Sequence, residues 1–343
     1  MSTTPLGWFN RAREQSAAGD DEGALASLDC ALALQAYFLP ALLAKGKVLA
    51  RLGRGDDSLA LYRAFLPSLP DDSSFPEPIR AGIGEARAAV AADSERRARR
   101  YSEELEKVAA DFPGADLRRA RVFAEQRAGK RRIYVQQPTA GHFPFLPAIE
   151  YFDRSHFPWI EALESETAAI RDELLSLWTE DDPNFRPYVE YDPTMPANQW
   201  AELNHSPRWS AWFLWEDGLR NVENCARCPA TAAAVARVPL IDIPGKAPSV
   251  MFSVLQPKTR IPPHTGSTNA RTTVHLPLVV PEGCGFRVGG ETREWREGEA
   301  WAFDDTIEHE AWNDSARPRA ILILDVWNPL LGEAEREAVR RIG

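Results

Sequence analysis

Two periods divide this chain. From about residue 7 to residue 128 the apolar positions recur at helical spacing, and from Ser249 onward they alternate in about seven short runs broken by Pro, Gly and Asp. The helical part repeats itself every 34 residues: Trp8 aligns with Leu42, Ala12 with Gly46, Gly19 with Gly53, Leu25 with Leu59, Leu28 with Tyr62 and Leu32 with Leu66. Such a repeat describes two helical hairpins, each too small to bury its own apolar stripe. A third unit is therefore expected within 78–128, with helices at Pro78–Val90 and Ser94–Ala109. The Ser-, Pro- and Asp-rich stretch Asp71 to Pro78 reads as a hinge, and helical periodicity stops between Gly129 and Gly141. The pattern predicts an α+β chain of two domains, helical over 1–128 and β-rich over 129–343.

In the second part, Ile133 to Gln136 is a candidate start of the β domain, Phe157 to Trp178 reads as a helix, Ala230 to Val238 as a short helix and Glu333 to Ile342 as a terminal one. Asp181 to Ser206, with Pro183, Pro187, Pro193 and Pro196, is a long loop, which in a compact domain points to a functional rim. The strands that follow have the spacing of a jelly roll. In Thr272 to Val280 the apolar Val274, Leu276, Leu278 and Val280 share one face, and His275 points to the other. His309 shares a face with Ile307 and Ala311, and Arg319 with Ile321 and Ile323. An idle charge among such neighbours is costly, so these positions are candidates for chemistry.

His264 opens this stretch in Pro263-His264-Thr265-Gly266, His309 follows 45 residues later, and Arg319 comes ten residues after that. Two imidazoles suit iron(II), and a buried arginine can clamp the far carboxylate of a chelating dicarboxylate with parallel hydrogen bonds.

The words around these residues carry a resemblance. Trp209-Ser210-Ala211-Trp212-Phe213-Leu214-Trp215 with Gly218 and Arg220-Asn221, then Pro263 to Asn269, then Phe303-Asp304-Asp305 with Glu308-His309-Glu310, and finally Asp325-Val326-Trp327, stand in order and spacing as in the aspartyl/asparaginyl β-hydroxylases. The stretch from about Trp200 to Pro329 resembles their catalytic domain, a double-stranded β-helix. The resemblance implies a 2-oxoglutarate-dependent dioxygenase that uses Fe(II) and O2, hydroxylates an aspartyl or asparaginyl residue or a related acidic substrate, and releases succinate and CO2. It implies His264 and His309 as the metal ligands, with Gly266 where related oxygenases carry an acid. Ser253 and Arg319 would hold the far carboxylate of 2-oxoglutarate, and His275 would contact its chelating end. Arg271 is the candidate for pairing with an acidic substrate group. Two departures, Thr273 and Asn204 where the animal enzymes have arginines, blur the substrate. Asp304 and Asp305 either orient a histidine from a second shell or shape the turn before His309. The 34-residue repeat likewise resembles tetratricopeptide repeats, which implies a concave surface for a peptide or protein partner, or a packing role.

Composition narrows the classes. With 343 residues and 44% hydrophobic composition the chain can bury a sizeable core, and a net charge of −10 argues against a nucleic-acid partner. The basic stretch 93–132 is interleaved with Glu103, Glu104 and Glu106 and reads as a solvated helical face. No run of about 18 apolar residues is present, and Met1 to Leu6 has no export character, so a cytoplasmic, bacterial protein without a membrane span is expected. Four cysteines are too few for a disulfide scaffold. Cys30 reads as a small apolar residue of a helix, and Cys225-Ala226-Arg227-Cys228 as two structural thiols. The rival functions are a same-family hydroxylase of a small molecule or lipid acyl chain, a halogenase with halide at the glycine-vacated ligand position, and a non-catalytic binding protein that works through its repeats.

Overall fold

The computed structural model describes residues 3–178, 184–192, 194, 196 and 198–342. It falls into two compact units, Met1–Arg131 and Arg132–Gly343.

The first unit is all helix: α1 Pro5–Ala17, α2 Asp21–Leu34, α3 Leu39–Arg51, α4 Gly55–Phe65, α5 Glu77–Asp111 and α6 Arg118–Ala128. α1 and α3 begin 34 residues apart, as do α2 and α4, so the sequence period is the period of a helical hairpin. Gly19 and Gly53 occupy the turn of each hairpin at φ +84° and +76°, backbone that favours glycine. Gly46 is required differently: a Cβ there would overlap the Tyr62 ring, while Ser58 Oγ donates to its carbonyl at 2.8 Å. The first hairpin closes over Ala24, Leu28 and Ala31, and the second over Leu43, Tyr62 and Phe65 with Ile83 of α5.

The third unit differs from expectation. Instead of helices at Pro78–Val90 and Ser94–Ala109, α5 runs unbroken for 35 residues and α6 packs beside its second half. Ala91-Ala92-Asp93-Ser94 contains neither Gly nor Pro to stop a helix. Asp93, which could have capped a new helix, is instead buried against Arg63, Arg96 and Arg97. Cys30 also departs from the apolar reading, for it lies on the exposed side of α2. Of the stretch Asp71 to Pro78, the part up to Pro76 is a connection with one 3-10 turn at Asp72–Ser74, and Glu77 and Pro78 already open α5.

The second unit opens with irregular chain that bridges Gln136 to Ile307 and Tyr151 to Phe303. The helix expected over Phe157 to Trp178 is two, α7 Ile160–Glu164 and α8 Thr167–Leu177, because Ser165 and Glu166 break it so that both pieces bury Ile160, Leu163, Ile170 and Leu174. Next come β1 Arg186–Pro187, β2 Trp209–Glu216, β3 Leu219–Arg220, α9 Val222–Arg227 and α10 Pro229–Val235. The strands after them are β4 Val250–Leu255, β5 Thr259–His264, β6 Arg271–Val279, β7 Cys284–Val288, β8 Glu291–Glu294, β9 Trp301–Phe303, β10 His309–Asn313 and β11 Arg319–Trp327, and α11 Glu333–Ile342 ends the chain. Of the expected rim loop, Pro183 and Pro193 lie outside the described residues.

The strands form two antiparallel sheets, β1-β2-β4-β11-β6-β9 with β3 beside β2, and β5-β10-β7-β8. Together they make a double-stranded β-helix, a jelly roll preceded by helical repeats. The larger sheet has two different faces. Val250, Phe252, Val254, Val274, Leu276, Ala320, Leu322 and Leu324 face the helices, while Leu255 and Ile321 meet Ile261, Phe286 and Ala311 of the smaller sheet. Val280 was expected on the Val274 face. A bulge opposite Ala320 and Ile321 inserts a residue, so Val279 keeps the helix side and Val280 packs on the other. Cys225 and Cys228 are buried free thiols; burial pushes the Cys228 thiol up to about 12, so it stays protonated and packs.

Asp93 offers a test of the unbroken helix. Burial pushes its carboxyl up, but the three arginines win and hold it below its ordinary value. Asp93→Asn should cost about 1–3 kcal/mol in urea denaturation at neutral pH. Because the folded-state pKa is depressed, the wild-type advantage is present above the ordinary carboxyl range and should vanish as pH falls through the lowered one.

Candidate active site

Strand alternation builds the site. Arg319, Ile321, Ile323 and Asp325 of β11, Met251 and Ser253 of β4, and Arg271, Thr273 and His275 of β6 all line one cavity of about 510 Å³. His264 ends β5 and His309 begins β10, and the ladder sets the two opposite each other. Their ring centroids are 4.0 Å apart. His264 Nδ1 lies 2.8 Å from the Pro262 carbonyl and His309 Nδ1 3.0 Å from that of Ile307. A carbonyl only accepts, so each Nδ1 carries the proton and each Nε2 keeps a lone pair. Burial pulls His264 below its ordinary pKa and His309 well below it, where the neighbouring His264 adds to the effect. Both rings are neutral at physiological pH, the form that binds metal.

Arg319 stands at the other end of β11. It is 2% exposed, its Nε and Nη1 have no hydrogen-bond partner among the described residues, and its guanidinium lies 5.2 Å from the centre of the Trp295 ring. Burial lowers its pKa to about 10, so it still enters the cavity as a cation. Ser253 is diagonal to it across β4 and β11, and its Oγ accepts from Trp209 Nε1 at 3.1 Å, leaving the hydroxyl proton to donate. His275 is stacked on Trp295 at 5.5 Å, with Phe303 and Phe286 at 4.8 and 5.0 Å, and its buried Nδ1 lacks a partner. Burial first, and the Arg319 charge second, hold it neutral.

Three polar residues resolve differently from one another. Asp304 shapes the turn: its Oδ1 accepts from the Thr306 amide and hydroxyl, and its Oδ2 from Gln136 Nε2 at 2.5 Å. Asp305 lines the cavity, its Oδ2 paired with Arg271 and its buried Oδ1 without a partner. It also explains Gly266, since a Cβ at 266 would overlap the Asp305 carboxylate. Arg271 is neither a solvated loop residue nor a free cation, because its Nη2 pairs with Asp305, its Nη1 reaches Asp325 at 3.3 Å, and its Nε is buried.

The rim assigned to the loop before β2 is present as Tyr188, Glu190, Tyr191 and Trp200, all lining the cavity, with Trp200 4.9 Å from the His264 ring. Sequence reasoning had not singled these out, nor Trp295. The density of aromatics around the loop was the only available signal. Among the described residues no group of three or more His, Cys, Asp or Glu is arranged to hold a metal ion, so a metal here would rest on the two histidines.

The profile of the family described as Aspartyl/Asparaginyl beta-hydroxylase matches residues 164–329. This part of the chain belongs to the aspartyl/asparaginyl β-hydroxylase family. Human aspartyl/asparaginyl beta-hydroxylase is 35% identical over 185 residues, which are 53% of this chain and 23% of that protein. The ornithine lipid ester-linked acyl 2-hydroxylase of Rhizobium tropici is 32% identical, over 53% of this chain and 62% of the relative. Human aspartate beta-hydroxylase domain-containing protein 2 is 30% identical, over 61% of this chain and 55% of its own. The chain thus spans about a quarter of the first relative and somewhat over half of the other two. No helix among the described residues is long and apolar enough to cross a membrane.

The Gly266 contact yields a direct test. Gly266→Ala should displace the Asp305 carboxylate from Arg271 and cost about 1–3 kcal/mol of stability. In an Asp305→Ala background the same change should cost clearly less, and equal costs in the two backgrounds would separate the residues energetically.

Proposed function

We propose that the β unit is an iron(II)- and 2-oxoglutarate-dependent dioxygenase that hydroxylates its substrate and releases succinate and CO2. The observation that carries this reading is the buried Arg319 guanidinium, without a carboxylate partner among the described residues, in the same cavity as two neutral histidines whose lone pairs are free. The donor set fits the group. His264 and His309 would hold the iron, Arg319 and Ser253 the far carboxylate of 2-oxoglutarate, and His275 would meet the chelating end as a neutral hydrogen-bonding ring. When bound, iron(II) and 2-oxoglutarate supply the oxidising power for attack on an unactivated C–H bond by O2.

The rest of the work belongs to the chain. The carbonyls of Pro262 and Ile307 fix the tautomers and ring directions of the two histidines. Phe286, Trp295 and Phe303 keep water from the Arg319 end, so the guanidinium acts in a low-dielectric setting where a carboxylate is worth most to it. Asp305 brings negative charge toward His264 from the space that a side chain at 266 would otherwise use. This supports two histidines serving in place of the more usual two histidines and an acid.

The names of the relatives offer two kinds of acceptor, an aspartyl or asparaginyl residue and a lipid acyl chain. The second gains support from the engagement of Arg271 with two carboxylates, which removes the cation expected to grip an acidic substrate. The helical repeats would serve as a surface for a protein partner or large substrate.

His264→Ala and His309→Ala should each abolish succinate formation while the circular dichroism spectrum stays that of the wild type. Arg319→Met separates anchor from scaffold. It should weaken 2-oxoglutarate binding by roughly 2–5 kcal/mol, about one and a half to four decades. Because it also removes an unpaired buried charge, it should stabilise the cosubstrate-free chain by about 1–4 kcal/mol. Unchanged affinity in calorimetry, or a less stable variant, would make Arg319 a structural residue.

A further inference from the structure

Charge is distributed unevenly along the cavity. Arg319 and Asp325 both face it from β11 but six residues apart, roughly 20 Å along the strand. The far end is cationic through Arg319. The other end gathers Asp305, Asp325 and Arg271, and Glu190 lines the same cavity from the rim. The Arg271 guanidinium thus faces two carboxylates, with Glu190 a further acid on the cavity wall. Its two terminal nitrogens are directed at Asp305 and Asp325 and its third is buried, which leaves little of it for an incoming anion. The carboxylate side has capacity to spare. Asp305 is 5% exposed, lines the cavity, and keeps Oδ1 without a donor. The walls here are aromatic: Tyr188, which is 41% exposed and in electrostatic reach of Asp305 and Asp325, with Tyr191 and Trp200. Aromatic faces beside carboxylates attract cations and offer nothing specific to anions.

We propose that this end of the cavity binds a cationic group of the substrate, an ammonium or guanidinium next to the carbon that is hydroxylated. The assignment rests on the dioxygenase reading above and names the substrate class for it. In the loaded site, iron(II) and doubly charged 2-oxoglutarate cancel each other, which leaves Arg319 as one positive charge at the far end and the group of Arg271, Asp305 and Asp325 as one negative charge at the other. The end that meets the substrate is thus negative, roughly 20 Å along the strand from Arg319. An acceptor such as an aspartyl residue or an acyl chain is compatible with this, provided its neighbour is basic.

The test uses the full chain and three peptides with one aspartyl acceptor, flanked by Lys, Gln or Glu. Calorimetry without iron or 2-oxoglutarate reads recognition alone. The Lys peptide should bind about ten-fold tighter than the Gln peptide and the Glu peptide weakest, with the spread shrinking as salt is raised. Glu190→Gln, an exposed position where folding is not at stake, should reduce the Lys preference about three-fold, and Glu190→Lys should reduce it further. Equal binding of the three peptides, or tighter binding of the Glu peptide, overturns the proposal. Succinate formation with iron and 2-oxoglutarate added reads the catalytic assignment separately. A Lys preference in binding without turnover of any peptide keeps the cationic subsite and removes the dioxygenase reading. Turnover without a charge preference does the reverse.

Discussion

A guanidinium that water does not reach governs this β unit. Arg319 is 2% exposed, and two of its nitrogens make no hydrogen bond among the described residues. Taking such a charge out of water costs several kcal/mol, which the fold recovers only from the aromatic face of Trp295 and from whatever anion enters. The surrounding sheet must therefore be stable enough to carry the deficit. Its strands β4, β11 and β6 are buried on both faces over most of their length, with the helices α7, α8 and α10 covering one side.

The same alternation gives the cavity direction. Along β11 the residues facing inward pass from arginine through two isoleucines to aspartate, and the histidine pair is supplied by β5 and β10 of the opposing sheet. A dicarboxylate that spans from Arg319 toward the histidines would have its two ends in different environments, one dry and cationic, the other beside neutral imidazole lone pairs. Asp305 lies within electrostatic reach of His264 and is paired with Arg271. Its carboxylate takes the space left by Gly266 and ties Arg271 into the wall. The small residue at 266 and the acid at 305 are in that sense one device.

Much of this was legible in the sequence, for identifiable reasons. The 34-residue period is a packing period, and it reappears as helix starts at Pro5 and Leu39 and at Asp21 and Gly55. Strand alternation set His275 opposite the Val274 face and put Arg319 with Ile321 and Ile323, as observed, because a period of two leaves no choice of side until a bulge intervenes. That bulge sent Val280 the other way. Helix ends were less legible: α5 continues through Ala91 to Ser94 because Asp93 found a tertiary partner in Arg63 in place of a capping role, and α7 and α8 are split where burial demanded it. The state of Arg271 was beyond reach of local pattern. Its two acids lie 34 and 54 residues away and meet it only across β6, β11 and the turn before His309. Tyr188 and Trp200 come from the loop, where no period exists to read.

On the proposed reading, His264, His309 and Arg319 form one site that holds a metal ion and a dicarboxylate together. Anaerobic calorimetry of 2-oxoglutarate binding, with and without iron(II), tests it most directly. Saturating metal should tighten 2-oxoglutarate binding by about ten-fold or more, and 2-oxoglutarate should tighten iron binding by the same factor, since coupling between two ligands of one protein is reciprocal. Affinities for 2-oxoglutarate that are equal in the presence and absence of iron would contradict it.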